Sequence, residues 1–447
     1  MRTRVCVIGA GPAGVTTLRA LQSLEPAVTV SESEGYEVVC FERYDTIGGI
    51  WNFKGEEGIE KDEIETHSPM YEGLRTNNPK EVMELPELPM SLKQDDPKIG
   101  STSYPYRSYM LEYLEEFARK FGIEKYIKFN SWIQNVTFDE SVKKFNVSVK
   151  DLKTKQEREE VFDYVIVATG HFSCPNYVTY PGQETFKGTV VHSKQFVDEA
   201  RYKGKRVLVV GSSFSAEDIA MHCQAAGAKY VTISYRSQAQ PLAYPEGIDV
   251  RPILQLIDGN TISFKDGSKQ DYDAIIYCTG YLHKFPYIEE NLQLKTPNRL
   301  AVPLYKQVVF PDNPQLFYIG MQNQFYTHPM FWLQGHLCAK IIKGEYKVPS
   351  RSEMMKEIAE KQEEESKLRD FFEGIDFQTA HVNELAQITG KTKCDMSELM
   401  KQWIRDRNED IKTYREQTHF HSIFRPPTAT PAAAAAAAQK WELLGEI

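Results

Sequence analysis

Twice in this chain an apolar strand runs into a glycine-bearing turn and then a helix, and that repeat limits the fold more than any other feature. The first copy, "VCVIGAGPAG", sets Gly9, Gly11 and Gly14 in GxGxxG spacing between a strand at 5–8 and a helix at 15–21. The first glycine permits a tight turn, the second lets backbone approach a pyrophosphate, and the third lets helix pack on strand. Pro12 and Ala13 complete the turn, and the helix start offers free N–H groups and a positive dipole end to phosphate. Glu42 closes the next strand, 37–42, where a carboxylate binds ribose hydroxyls. "DTIGGIWN" follows at once, and its Gly49 and Trp51 are expected to bring a second loop against the same cofactor.

The second copy is "VLVVGSSFSAED", in which Gly211, Ser213 and Ala216 hold the three glycine positions. Small residues still permit close approach, and the hydroxyls of Ser212, Ser213 and Ser215 can donate to phosphate. The following strand ends in "SYRS", where an NAD-preferring site would carry an acid. Arg236 and Ser237 instead offer a fork and a hydroxyl to a 2′-phosphate, which favours NADP. Two strands end in matching signatures, "VIVATGH" and "IIYCTGY". The second supplies Thr279 and Gly280, a turn beside a nucleotide at which the chain changes domain.

These elements predict an α/β fold with two Rossmann-like dinucleotide-binding domains, one inserted in the other. The expected divisions are 1–174 and 282–425 for the outer domain with C-terminal helices, 175–281 for the inserted one, and 426–447 for a flexible, alanine-rich tail. A length of 447 residues fits two domains. The net charge of −9 argues against a nucleic-acid footprint. Seven scattered cysteines form no CxxC pair, so reduced thiols in a cytoplasmic compartment are expected. The chain opens on a strand without a leader-like apolar segment, and no apolar run of 18 residues predicts a membrane span.

With these pieces in place, the sequence resembles the flavin-containing monooxygenases, in particular the short trimethylamine-monooxygenase-type bacterial members and the insect alkaloid N-oxygenases. The residues that carry the resemblance, over about 3–350, are the Gly9/Gly11/Gly14 turn, "ERYDTIGGIWN", "HSPMYEGLRTNNPKE", "SYPYRSYMLEYL", "GSSFSAEDIA" and "CTGYLHKFP". The stretch "FKGTVVHSKQF" adds the family fingerprint through Phe186, Gly188, His192 and Phe196, with Val197 departing from the usual basic residue. The resemblance implies that His192 makes a structural hydrogen bond at the junction of the two modules and takes no direct proton role.

It also implies FAD and NADPH as cofactors: NADPH reduces the flavin, dioxygen adds to it as a C4a-hydroperoxide, and an amine nitrogen or a sulfur takes the distal oxygen. That chemistry needs no metal cluster and no Ser/His/Asp set, and neither is seen in the sequence. Asn77 in "RTNNPKE" matches the family asparagine that faces the flavin, with Asn78 as an adjacent rival. "GMQNQFYTHPMFWLQGH" is placed by the flavin ring: Gln322 and Gln334 as flavin or nucleotide contacts, Phe325, Tyr326, Phe331 and Trp332 as walls of the substrate space. His328 reads as a loop histidine. The implied partners are a small amine or sulfide and O2, in a protein expected to be a homodimer. Three rivals stand beside this reading: a Baeyer–Villiger monooxygenase acting on ketones, a disulfide reductase, which the missing cysteine pair opposes, and a non-catalytic nucleotide-binding or redox-sensing protein.

Overall fold

The computed structural model describes residues 2–25, 35–53, 55, 68–90, 102–236, 242–295 and 299–417. Ser237 and the 426–447 tail lie outside the described residues.

Strand Thr3–Ile8 leads through the first glycine turn into α1 (Pro12–Leu21). The helix begins three residues before its apolar period does. Pro12 takes a first-turn position, where its fixed φ suits the helix and its missing N–H forfeits nothing. Thr3–Ile8 is the middle strand of a five-stranded parallel sheet, ordered 316–318, 164–167, 3–8, 36–41, 127–128. Alternate residues feed opposite faces: Val5 and Val7 join one core, Cys6 and Ile8 another. Burial on both faces is why the strand is an unbroken apolar run.

The second repeat builds the same object. Strand Arg206–Val210 enters α3 (Phe214–Ala225) and is central in a parallel sheet ordered 248–252, 230–235, 206–210, 274–277, 189–192. Val207 and Val209 face one core, Leu208 and Val210 another. A three-stranded antiparallel sheet flanks each parallel one: 131–139, 144–151 and 157–162 on the first, 254–258, 261–264 and 269–271 on the second. Cys174–Pro175 pairs antiparallel with Tyr281–Leu282, so entry to and exit from the second unit run side by side.

Between the repeats lies α2 (Arg107–Lys120), after which Gly122 turns the chain at φ 59°. The remaining helices are α4 (His328–Ile342), α5 (Arg351–Ser366), α6 (Phe371–Thr389) and α7 (Ser397–Glu409). All of α4 except His336 and Lys340 is buried, as its all-round apolar sequence requires. It crosses α1 so closely that a Cβ on Gly335 would lie 2.8 Å from the Thr17 Cα. The charged stretch 350–372 reads as one helical run but folds as two. Ser350 and Glu353 form a capping box for α5, and Asp370 starts α6 by accepting the Glu373 N–H. Helix α7 then returns to the second unit: Arg407 forms a buried ion pair with Glu217 on α3, and Trp403 stacks on Phe214.

Candidate active site

The two glycine turns open onto one cavity of 1210 Å³, larger than the roughly 300–1,000 Å³ typical of a single small-molecule site. At the first turn the backbone is packed to contact. Gly9 has φ 98°, and a Cβ on it would lie 2.9 Å from the Ala168 carbonyl oxygen. One on Gly14 would lie 1.9 Å from the Gly9 oxygen. Gly49 approaches Gly11 from the second loop, a Cβ on it falling 2.9 Å from the Gly11 Cα. Only glycine allows these approaches. Helix α1 starts at Gly11 with no side-chain cap, so its first N–H groups remain open to an anion. Gly9, Gly11, Pro12, Ala13, Gly49 and Trp51 line the cavity. Gly14 does not, its role being the helix–strand contact.

Glu42 also lines the cavity and is 5% exposed. Its Oε2 accepts the Ala10 N–H at 2.6 Å and its Oε1 the Tyr44 N–H at 2.9 Å. Each oxygen keeps a further acceptor site for ribose hydroxyls. Burial pushes its carboxyl up, and the Tyr44 and Ala10 N–H groups act against that.

At the second turn Gly211 has φ 128°, with Cys278 oxygen 2.4 Å from the position of an added Cβ. Ser213 is the N-cap of α3 and makes no side-chain capping bond. Gly211, Ser212, Ser213 and Ser215 line the cavity, as do Thr279 and Gly280. Arg236, exposed at the end of strand Tyr230–Tyr235, stands at its edge. The glycine contacts and the open helix starts fit these cradles to two dinucleotides.

The fingerprint stretch is architectural. His192 is fully buried, its Nε2 3.0 Å from the Gly280 oxygen, and its Nδ1 accepts the Lys194 N–H at 3.2 Å. Burial lowers its pKa to about 4, so the ring is neutral. A Cβ on Gly188 would lie 2.3 Å from the Asp273 oxygen, and Phe196 packs against Tyr71 and Tyr202.

Asn77, Phe325 and Phe331 line the cavity between the two turns. Asn77 Oδ1 accepts from Arg415 Nη2 at 2.8 Å. Asn78 also lines it, and its Nδ2 donates to the Phe325 carbonyl at 3.0 Å. Four expected contacts are not brought there. Gln334 is fully buried, and its Oε1 accepts the Gly320 N–H at 2.9 Å. Gln322 is buried away from the lining, with no partner for its amide among the described residues. Tyr326 turns its hydroxyl to Thr379 (2.8 Å) and the Met396 N–H (3.1 Å). Trp332 donates to Glu87 at 2.7 Å. On α4 the polar atoms of Gln334 and Trp332 are thus claimed by a backbone N–H and a carboxylate. His328 is no loop residue: it is the first residue of α4, buried, 2.9 Å from the Met83 oxygen, with a pKa lowered by burial to about 4.

Sequence reasoning passed over four residues here: His171, Tyr71, Asp218 and Arg415. His171, 3% exposed, lines the cavity after the first Thr-Gly signature and stacks on His283 at 4.5 Å. Tyr71 and Asp218 line it as well, joined by a hydrogen bond.

A family model described as flavin-binding monooxygenase-like matches residues 2–243 and 245–412. The chain belongs to that family. It is an FAD- and NADPH-dependent monooxygenase. The trimethylamine monooxygenase of Methylocella silvestris is 40% identical over 421 residues, covering 93% of this chain and 92% of its own. Among solved structures, Tmm from Pelagibacter sp. strain HTCC7211 superposes with a TM-score of 0.88 at 37% identity, over 97% of this chain and 98% of that one. The S-allyl-L-cysteine S-oxygenase of Allium sativum gives 0.81 at 27% identity, over 99% of each. Among the described residues no helix is long and apolar enough to cross a membrane.

Proposed function

We propose that the enzyme N-oxygenates a small tertiary amine, using NADPH and O2. Similarity to trimethylamine monooxygenase over 93% of the chain carries this reading. Sulfide S-oxygenation is the second reading, favoured by the likeness to the Allium S-oxygenase over nearly the whole chain.

When bound, FAD supplies the redox chemistry, accepting a hydride from NADPH and delivering one oxygen atom of O2 to the substrate. The chain's residues bind, orient and exclude water. The Gly9–Gly14 turn and the start of α1 would hold the flavin pyrophosphate, and Glu42 its ribose. Gly49 and Trp51, which line the cavity from the second loop, would add to its contacts. The Gly211–Ser215 turn would hold the NADPH pyrophosphate and Arg236 the 2′-phosphate, with Thr279 and Gly280 as further contacts; the sequence adds Ser237 to the 2′-phosphate site. Phe325 and Phe331 wall the substrate space; their ring faces suit an alkylammonium or thioether and keep water out. Asn77 donates through a neutral amide. It would offer a hydrogen bond to the reacting groups in the cavity without an acidic proton to give up.

We further infer that 175–281 is the inserted NADPH domain between the FAD-domain segments 1–174 and 282–425. The seven free thiols fit a reducing cytoplasm, and a homodimer is the working assembly. The test is Asn77→Ala with trimethylamine. Losing one hydrogen bond of about 1.5 kcal/mol should lower the ratio of N-oxide to hydrogen peroxide formed about tenfold. A variant that still couples normally removes Asn77 from the mechanism.

A further inference from the structure

We propose that Arg415 is a positioning residue for oxygen transfer, fixing the Asn77 amide with Oδ1 held and Nδ2 presented to the cavity. The inference rests on the Asn77 assignment above. Arg415 sits in the short turn Tyr414–Glu416 after α7, 338 residues from Asn77 along the chain. It does not line the cavity itself, so any effect on the reaction passes through a neighbour.

The chemistry of the contact selects one amide orientation. A guanidinium carries donors only, so the atom facing it at 2.8 Å must be the amide oxygen. Asn77 Nδ2 then has no hydrogen-bond partner among the described residues, on a side chain that lines the cavity. Without the guanidinium, both ends of the amide compete for the same place.

The guanidinium is held on all sides. Its Nε donates to the Thr76 carbonyl at 3.3 Å, and its Nη1 pairs with Asp218 on α3. Asp218 is 5% exposed and also accepts the Tyr71 hydroxyl. Burial alone would push the Asp218 carboxyl up, but Arg415, His222 and Tyr71 outweigh it and hold it below its usual range. The backbone around Arg415 is fastened too. Arg75 donates to its carbonyl, Ser103 N–H donates to the Gln417 oxygen at 3.1 Å, and Tyr414 packs on Tyr104. One planar fork thus joins the loop of Asn77 to the nucleotide-binding helix, a geometry that a lysine's point charge cannot reproduce.

A purely architectural Arg415 would affect stability and flavin retention. A positioning Arg415 changes where the electrons go. The experiment measures FAD content, NADPH KM and kcat, and N-oxide and hydrogen peroxide per NADPH with trimethylamine. The variants are Arg415→Gln, Arg415→Lys and Arg415→Gln/Asp218→Asn, and Arg415→Gln is repeated in the Asn77→Ala background. The expected result is a ratio of N-oxide to hydrogen peroxide lowered about fivefold to tenfold in Arg415→Gln, less in Arg415→Lys, with no further loss on top of Asn77→Ala. Unchanged coupling in Arg415→Gln, or an equal loss in the Asn77→Ala background, overturns the proposal. If Arg415→Gln does not hold FAD, the double variant, which neutralises both partners together, carries the test. Loss of FAD there too makes the pair architectural and sinks the inference. If Asn77→Ala itself couples normally, the assignment of Asn77 fails. If it uncouples while Arg415→Gln does not, only the role of Arg415 fails.

Discussion

Replacing Arg236 with alanine should convert a strong NADPH preference into near-indifference between NADPH and NADH. The strand Tyr230–Tyr235 runs parallel to Arg206–Val210, whose end opens the Gly211 turn. This places Arg236 at the cavity edge, beyond the start of α3. It is exposed, pairs with no carboxylate among the described residues, and its charge reaches the Tyr180 hydroxyl. A free guanidinium there loses little on meeting a phosphate. A charge-assisted hydrogen bond is worth about 1.5–3 kcal/mol. Solvent screening at an exposed site argues for the lower half of that range. At about 1.4 kcal/mol per factor of ten, Arg236→Ala should lower kcat/KM for NADPH about 10- to 40-fold. NADH has no 2′-phosphate to lose, so its value should change less than about twofold on the same reasoning. Lysine at this position keeps the charge without the fork and should fall between. Initial rates of NADPH and NADH oxidation, each at low and high salt, provide the assay. Added salt should shrink the wild-type preference and leave that of the alanine variant unmoved. Equal losses for both nucleotides, or no loss for either, would refute the assignment of Arg236 to the 2′-phosphate.

Other predictions separate the two cradles. Gly14→Ala sets a methyl 1.9 Å from the Gly9 oxygen and should yield protein that loses FAD on gel filtration. Gly211→Ala sets one 2.4 Å from the Cys278 oxygen, and should keep FAD while weakening NADPH. The reverse pattern would mean that the two turns have been exchanged. Acid should destabilise the protein before its carboxylates titrate. Burial lowers His171 to about 3 and His192, His328 and His381 each to about 4, against an unfolded value near 6.5. Between these limits the unfolded chain binds more protons. Their contribution is therefore complete above pH 6.5 or so and is lost as pH falls toward 4. A melting temperature that stays flat from about pH 7 to 5 would contradict the neutral, buried state of these rings.

The parts legible in the sequence are those set by local rules. Strands Thr3–Ile8 and Arg206–Val210 announce themselves because both faces are buried, and the turns after them because only small residues let backbone meet backbone. Glu42 and Arg236 follow from their places at the ends of the next strands. The start of α1 was hidden because Pro12 and Gly14 carry no apolar period. The division of 350–372 was hidden because its signal is a single capping aspartate, Asp370. The site residues that escaped depend on contacts between distant segments. Arg415 meets Asn77 only after α7 has packed on α3, and nothing near residue 415 signals it. Gln334, Tyr326 and Trp332 are near the cavity in sequence order, but their polar atoms are satisfied elsewhere, by Gly320, Thr379 and Glu87.

The most direct test of the account is oxygen-isotope accounting. The holoenzyme, given NADPH and 18O2, is offered trimethylamine, a dialkyl sulfide and a cyclic ketone in turn, with product mass and NADPH consumption measured together. The account predicts one labelled oxygen per product molecule and one NADPH per N-oxide, with the sulfide second and the ketone unreactive. Unlabelled product, a lactone from the ketone, or NADPH consumed with hydrogen peroxide as its sole product would contradict it.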